Sequence, residues 1–229
     1  MRRLLLLAAI LIIVLQTNYS AQTIGGSIML AVPQGEFKEN VDNLGYGLQV
    51  QGTLTTPGRL TPFTVGLNLS YMIYGQEERT APLSTTVPDV TVDVERKNSI
   101  VNFHFLFQVS PFAGTVKPYL EGLAGGQYIF TESSVKGDNN YEDFASSTNY
   151  DDFTWSMGVG GGFLITLTKA TTGIPGGLFL DLKARYMYGG EAEYLTEGDV
   201  IVNNGSVIYR TRKSETDFLS FHIGVVAAF

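Results

Sequence analysis

Phe63-Thr64-Val65-Gly66-Leu67-Asn68-Leu69-Ser70-Tyr71-Met72-Ile73-Tyr74 changes character at every step. Phe63, Val65, Leu67, Leu69, Tyr71 and Ile73 are apolar, and most of the residues between them are polar or small. Successive side chains of a strand point to opposite faces, so this period of two makes one wholly apolar face and one mostly polar face. Leu178, Leu180, Leu182, Ala184, Tyr186 and Tyr188 repeat the pattern against Phe179, Asp181, Lys183, Arg185 and Met187. A third copy sets Val101, Phe103, Phe105, Phe107 and Val109 against Asn102, His104, Leu106 and Gln108. Weaker copies cover residues 24–32, 46–54, 119–130, 153–167 and 218–229. Eight strands are expected, each of about ten residues or more, where globular strands usually stop near five or six.

The connections alternate too. Short turns are expected at 55–62, 110–116 and 168–177, two of them carrying Pro57-Gly58 and Pro175-Gly176-Gly177, and longer loops at 33–45, 75–100, 131–152 and 189–217. Short turns at one end and long loops at the other are the pattern of an up-and-down transmembrane barrel. A soluble barrel or sandwich also alternates, but it turns its large apolar side chains inward. Three features favour apolar side chains facing out: strands long enough to cross a bilayer at a tilt, an export signal, and tyrosines at the loop ends of the apolar faces. Tyr71, Tyr128, Tyr186 and Tyr188 stand where an interfacial aromatic girdle requires them. The expected fold is all-β, an eight-stranded antiparallel up-and-down transmembrane β-barrel.

The amino terminus reads as an address. Arg2 and Arg3 precede an apolar run at residues 4–15 and a short polar stretch ending at Ala21. This is the layout of a secretory signal peptide, too short for a comfortable spanning helix. Residues 1–21 are expected to be removed, leaving 22–229 as the barrel domain. The chain of 229 residues is only 16% charged, against roughly 25% for an ordinary soluble domain. Its formal net charge of −7 argues against a nucleic-acid partner. The absence of cysteine excludes disulfides, thiolate metal sites, cysteine nucleophiles and an amino-terminal lipid anchor.

Size bears on transport. An eight-stranded barrel is just wide enough for side chains to fill its interior, so no open aqueous channel is expected. The filling is expected to be Gln49, Gln51, Asn68, His104, Gln108, Glu121, Gln127, Asp181, Lys183, Arg185 and His222. Glu121 and Asp181 are expected to pair with Lys183 and Arg185, because an unpaired buried charge is too costly. Such a network is structural in the simplest reading and a gate or proton path in the other. Gly158, Gly160 and Gly162 face the same way and leave room for bulky neighbours.

The carboxy terminus, His222-Ile223-Gly224-Val225-Val226-Ala227-Ala228-Phe229, resembles the terminal signal of bacterial outer-membrane barrels, with His222, Gly224, Ala227 and Phe229 at the matching positions. That resemblance implies recognition of the last strand by the barrel-assembly machinery. Its physical basis is closure, since first and last strands must pair so that no backbone edge meets lipid. The stretches Pro118-Tyr119-Leu120-Glu121-Gly122-Leu123-Ala124-Gly125 and Asp181-Leu182-Lys183-Ala184-Arg185-Tyr186 are also familiar in such chains. Residues 22–229 as a whole resemble the small eight-stranded outer-membrane barrels, of the outer-membrane protein A transmembrane-domain and outer-membrane protein X type, without a periplasmic peptidoglycan-binding domain. The resemblance implies a bacterial outer-membrane location, with outer-membrane lipids as surroundings.

Barrels of this kind include proteases and lipid-modifying acyltransferases, whose chemistry needs a base near the outer rim. The two histidines, His104 and His222, lie within strands and the long loops have none, so no catalytic residues, cofactor or metal are expected. The 131–152 loop is acidic, with Glu132, Asp138, Glu142, Asp143, Asp151 and Asp152 against Lys136. A calcium or magnesium ion would suit such oxygen ligands, but the Asp138, Asn140, Glu142 spacing lacks the glycine and distal glutamate of an EF-hand. Tyr141, Phe144, Tyr150 and Tyr194 are candidate contact anchors for extracellular partners. Two functions remain: a structural and surface-interaction barrel for envelope integrity, adhesion or protection, and a narrow, porin-like conduit or small-molecule binder.

Overall fold

A chain whose apolar side chains recur every second residue must pair its strands into a sheet, and a sheet surrounded by lipid must close so that no edge is left unpaired. The computed structural model describes residues 22–56, 62–84, 87–136, 143–170, 174–203 and 206–229, and within them all side chains except those at 80–84, 87–92, 135–136, 143–146, 201–203 and 206–207. The expected signal peptide at 1–21 lies outside the described residues. The barrel strands are β1 (Thr23–Pro33), β2 (Gly45–Thr53), β3 (Phe63–Ser84), β4 (Val87–Val109), β5 (Val116–Lys136), β6 (Asp143–Thr168) and β7 (Gly177–Gly189), with β12 (Phe218–Ala228) last. They form one closed antiparallel barrel in which each strand pairs with its sequence neighbours, β12 pairs with β7, and β1 closes the ring against β12 from Thr23↔Ala228 to Pro33↔Phe218. The fold is the expected eight-stranded up-and-down barrel.

The faces fall as the alternation requires. Phe63, Val65, Leu67, Leu69, Phe103, Phe105, Phe107, Trp155, Ile223 and Val225 all point out and stand exposed. Gln49, Gln51, Asn68, His104, Gln108, Glu121, Gln127, Asp181, Lys183, Arg185 and His222 are all buried inside. Apolar outside and polar inside is the reverse of a soluble barrel.

Four stretches read as loops turn out otherwise. Strands β3 to β6 run 22, 23, 21 and 26 residues, so that much of 75–100 and 131–152 continues the barrel as paired hairpins. The β4–β5 ladder extends to Asp93↔Lys136. Beyond the lipid belt no face need be apolar, so the period of two fades while the backbone ladder continues. A reading keyed to that period stops at the belt. The 33–45 segment holds a short helix, α1 (Gly35–Asn40). Between β7 and β12 the chain folds into two ribbons, β8 (Glu191–Tyr194) with β11 (Arg212–Glu215), and β9 (Val200–Asn203) with β10 (Ser206–Tyr209).

Candidate functional site

The lumen is layered, and its middle layer is polar. On β7 the alternation places Asp181, Lys183 and Arg185 inward, and on β5 it does the same for Tyr119 and Glu121. The Arg185 guanidinium forks onto Glu121, with Nε donating to Oε1 at 2.5 Å and Nη2 to Oε2 at 3.1 Å. Its Nη1 donates to Asn68 Oδ1 at 2.8 Å, on β3, the strand diametrically opposite in the ring. Lys183 Nζ donates to Asp181 Oδ2 at 2.9 Å and to Gln51 Oε1 at 2.8 Å, and the Tyr119 hydroxyl donates to Asp181 Oδ1 at 2.6 Å. All four charged side chains are 2% exposed or less. Charge-assisted, bidentate bonds are the geometry in which a buried ion pair can offset its desolvation.

The glycines of β6 explain how residues two strands apart meet. Gly160 lies between Glu121 on β5 and Arg185 on β7, and Gly162 between Tyr119 and Lys183. With no side chain on the intervening strand, acid and base reach across it. A Cβ on Gly160 would come within 2.8 Å of Arg185 Cγ and 2.6 Å of the Ala184 carbonyl oxygen.

Apolar layers lie on both sides of the polar one. At the short-turn end Tyr119, Leu164, Phe179, Val226 and Ala228 pack together. At the long-loop end Met29, Met72, Ile100, Ile129, Met187 and Phe218 form a second layer, continuous with Phe37 of α1. Phe37 is wholly buried and meets Tyr74 and Tyr194 edge-on, at 5.5 and 5.3 Å between ring centres. Tyr194, expected as an exposed anchor, is thus a buried part of the mouth, because the β7–β12 connection folds back over it. Of the other aromatics in that expectation, Tyr150 is half-buried and donates to Glu193 Oε2 at 2.6 Å, whereas the side chains of Tyr141 and Phe144 lie outside the described residues, as do Asp138, Asn140 and Glu142.

Sequence reasoning missed this cap. Its one visible signal is Phe37, a lone apolar residue in Gly35-Glu36-Phe37-Lys38-Glu39-Asn40, the pattern of a single helical turn with one buried position. Polar bonds fasten it: the Tyr74 hydroxyl donates to the Leu195 carbonyl at 3.1 Å, Asn40 Nδ2 to the Tyr194 hydroxyl at 3.2 Å, and Arg212 Nε to Asp199 Oδ2 at 3.0 Å. Burial pushes the Asp199 carboxyl up, but hydrogen bonds from Arg212 and Thr196 outweigh it and hold the carboxyl below its ordinary value of 3.8. A depressed folded value stabilises the cap fully above the ordinary value, and that contribution is lost as pH falls through the folded one. Protection factors in α1 and at residues 191–199, referred to intrinsic amide exchange at each pH, should therefore fall on acidification below about pH 4 while those of the barrel strands hold. Phe37→Ala should raise exchange at the same residues at neutral pH by about tenfold or more, since removing a buried phenyl ring costs more than the 1.4 kcal/mol a decade represents. Exchange that speeds up equally in the barrel strands would contradict a separately opening cap.

The histidines bond serines inside the lumen. His104 Nε2 lies 2.6 Å from Ser156 Oγ, and His222 Nε2 lies 2.9 Å from Ser220 Oγ. Both serines are as buried as the histidines, so neither pair faces a substrate. Among the described residues no group of three His, Cys, Asp or Glu side chains is arranged to hold a metal. In the terminal strand His222 points inward, Phe229 is exposed and its amide donates to the Gln22 carbonyl at 2.8 Å, and Ala227 is half-buried. Gly224 faces Ser27 of β1 so closely that a Cβ would collide with the Gly26 carbonyl.

These faces define the class of the protein as a membrane-type barrel: eight antiparallel strands closed on themselves, an apolar outer belt and a polar, ion-paired interior. No family model matches the chain, and no curated protein matches it. Among solved structures it is similar to Neisserial surface protein A, with 14% identity and a TM-score of 0.45 over 92% of this chain and 98% of that one. It is similar to Ail, the attachment invasion locus protein of Yersinia pestis, with 12% identity and a TM-score of 0.42 over 92% and 100%. A major outer membrane protein from Thermus thermophilus aligns with 12% identity and a TM-score of 0.45 over 90% and 99%. These likenesses are distant, and the membrane character follows from the barrel's own two faces.

Proposed function

We propose that the protein is an integral protein of the bacterial outer membrane that acts as a structural and surface-interaction barrel, with a plugged lumen and its long-loop end turned outward. The observation that carries this reading is the sheet above the belt. Strand β2 leaves β3 at Tyr46↔Ile73 and β7 leaves β6 at Ser156↔Gly189, while β3, β4, β5 and β6 continue together. Among the described residues no strand forms a ladder with the outer edge of β3 or β6 in this extension; contacts there are at its base, where the Gln76 amide donates to Glu197 Oε1 at 3.1 Å and the Gly190 and Glu193 amides donate to the Trp155 carbonyl and Asp152 Oδ2 at 2.9 and 2.8 Å. Unpaired edges accept a further strand, which is how many proteins capture an extended segment of a partner. The extension therefore serves adhesion, protection or envelope integrity by contact with other surfaces.

Plugging is supported by the layering: among the central side chains, a space beside Asn68, His104, Arg185 and His222 has a volume of about 10 Å³, room for about one water. In this reading residues 1–21 direct export and are removed, the surroundings are outer-membrane lipids, and His222, Gly224, Ala227 and Phe229 present the last strand to the barrel-assembly machinery before β1 closes on it. No catalysis or cofactor is assigned. The test against a porin-like conduit is planar-bilayer conductance of the purified barrel. A silent bilayer is expected, and stable, reproducible channel steps would overturn the plugged-lumen reading.

A further inference from the structure

The outer wall carries a groove of about 560 Å³ where β7 ends, within the size range of small-molecule sites. Its floor is bare: Ala124 and Gly125 on β5 supply at most a methyl group. Its walls are Trp155 and Met157 on β6 and Tyr188 on β7, all outward and exposed. At its upper end stand Glu215 and Asp217, where the chain turns down into β12. Asp217 is held in place, with Oδ1 accepting from the Gly189 amide at 3.0 Å and Oδ2 from the Tyr186 hydroxyl at 3.2 Å. Neither carboxylate has a basic partner among the described residues, and the nearby Lys213 ammonium bonds Glu191 at 2.8 Å. Tyr186 and Tyr188 are a contact pair, ring centres 4.6 Å apart, where aromatic side chains mark the edge of the lipid. The groove is thus apolar along its length and negative at the end level with lipid headgroups.

We propose that this groove is a binding site for a membrane lipid whose headgroup presents a primary ammonium, the acyl chain lying along Trp155 and Met157 and the ammonium meeting Glu215 and Asp217. The charge decides the occupant. An anionic headgroup would meet two fixed carboxylates, and a quaternary ammonium cannot donate the hydrogen bonds that make such contacts strong. The proposal rests on the membrane reading above.

Trp155 is the chain's only tryptophan, so its fluorescence reports on the groove directly. The barrel is reconstituted in vesicles containing phosphatidylethanolamine, phosphatidylcholine or phosphatidylglycerol, each in turn carrying brominated acyl chains. Brominated phosphatidylethanolamine should quench Trp155 at about a fivefold lower mole fraction than the other two, the scale of one exposed ion pair. The double variant Glu215→Gln, Asp217→Asn should abolish that preference while unspecific quenching persists. Ala124→Leu, which fills the floor from the lipid side and leaves the carboxylates in place, should abolish it too. Equal quenching by all three headgroups, or a preference that survives the double variant or Ala124→Leu, would overturn the site while leaving the barrel in the membrane. No quenching by any brominated lipid would overturn the membrane reading and the site together.

Discussion

Replacing Arg185 by alanine should lower the unfolding free energy of the barrel by about 3–5 kcal/mol, because it strands the buried Glu121 carboxylate without its partner. Asn68 Oδ1 on the opposite wall loses its donor in the same step. Removing both charges should behave differently. With Arg185→Met and Glu121→Leu together, no charge of that pair remains to be desolvated, and most of the lost stability should return. Urea unfolding of the barrel refolded in lipid vesicles, followed by Trp155 fluorescence, measures both. Midpoints unchanged by Arg185→Ala and by Glu121→Ala would contradict the network as a source of stability.

Gly160→Val should cost about 1–3 kcal/mol by overpacking. The new side chain would occupy the space over which Arg185 reaches Glu121, and its Cβ would press on backbone as well as side chain. The two sites therefore couple: in the Arg185→Ala background the same valine should cost measurably less, because the side chain it displaces is gone. A strictly additive pair of losses would mean that the glycine serves the backbone contact with Ala184 alone.

Most of the barrel was legible because lipid is a uniform solvent. Every outward residue from Phe63 to Tyr71, and its counterparts on the other strands, must satisfy the same apolar condition, so the period of two survives in the chain and assigns each neighbour to the lumen. The expected export segment and the carboxy-terminal resemblance also rest on local signals, readable without partners. The four charged lumen residues were recognisable as a group because so few charges face inward.

The tertiary structure decided everything that depends on strands distant in sequence meeting across a ring. Closure places Asn68 opposite Arg185, and register places Gly160 rather than a bulky residue between Arg185 and Glu121; neither follows from alternation. The cap was invisible for a related reason: Phe37, Tyr74 and Tyr194 come from three separated segments, and each alone looks like an ordinary loop or strand-end aromatic. The length of β3 to β6 was likewise settled in three dimensions. Past the belt, pairing is maintained by backbone bonds, which leave no hydrophobic period in the chain. Amino-acid pattern alone thus determined which face of each strand meets lipid, since that depends on one residue and its solvent. Only the folded barrel determined which lumen side chains touch and how α1 and the β7–β12 connection pack at the mouth, since those depend on register around a closed ring.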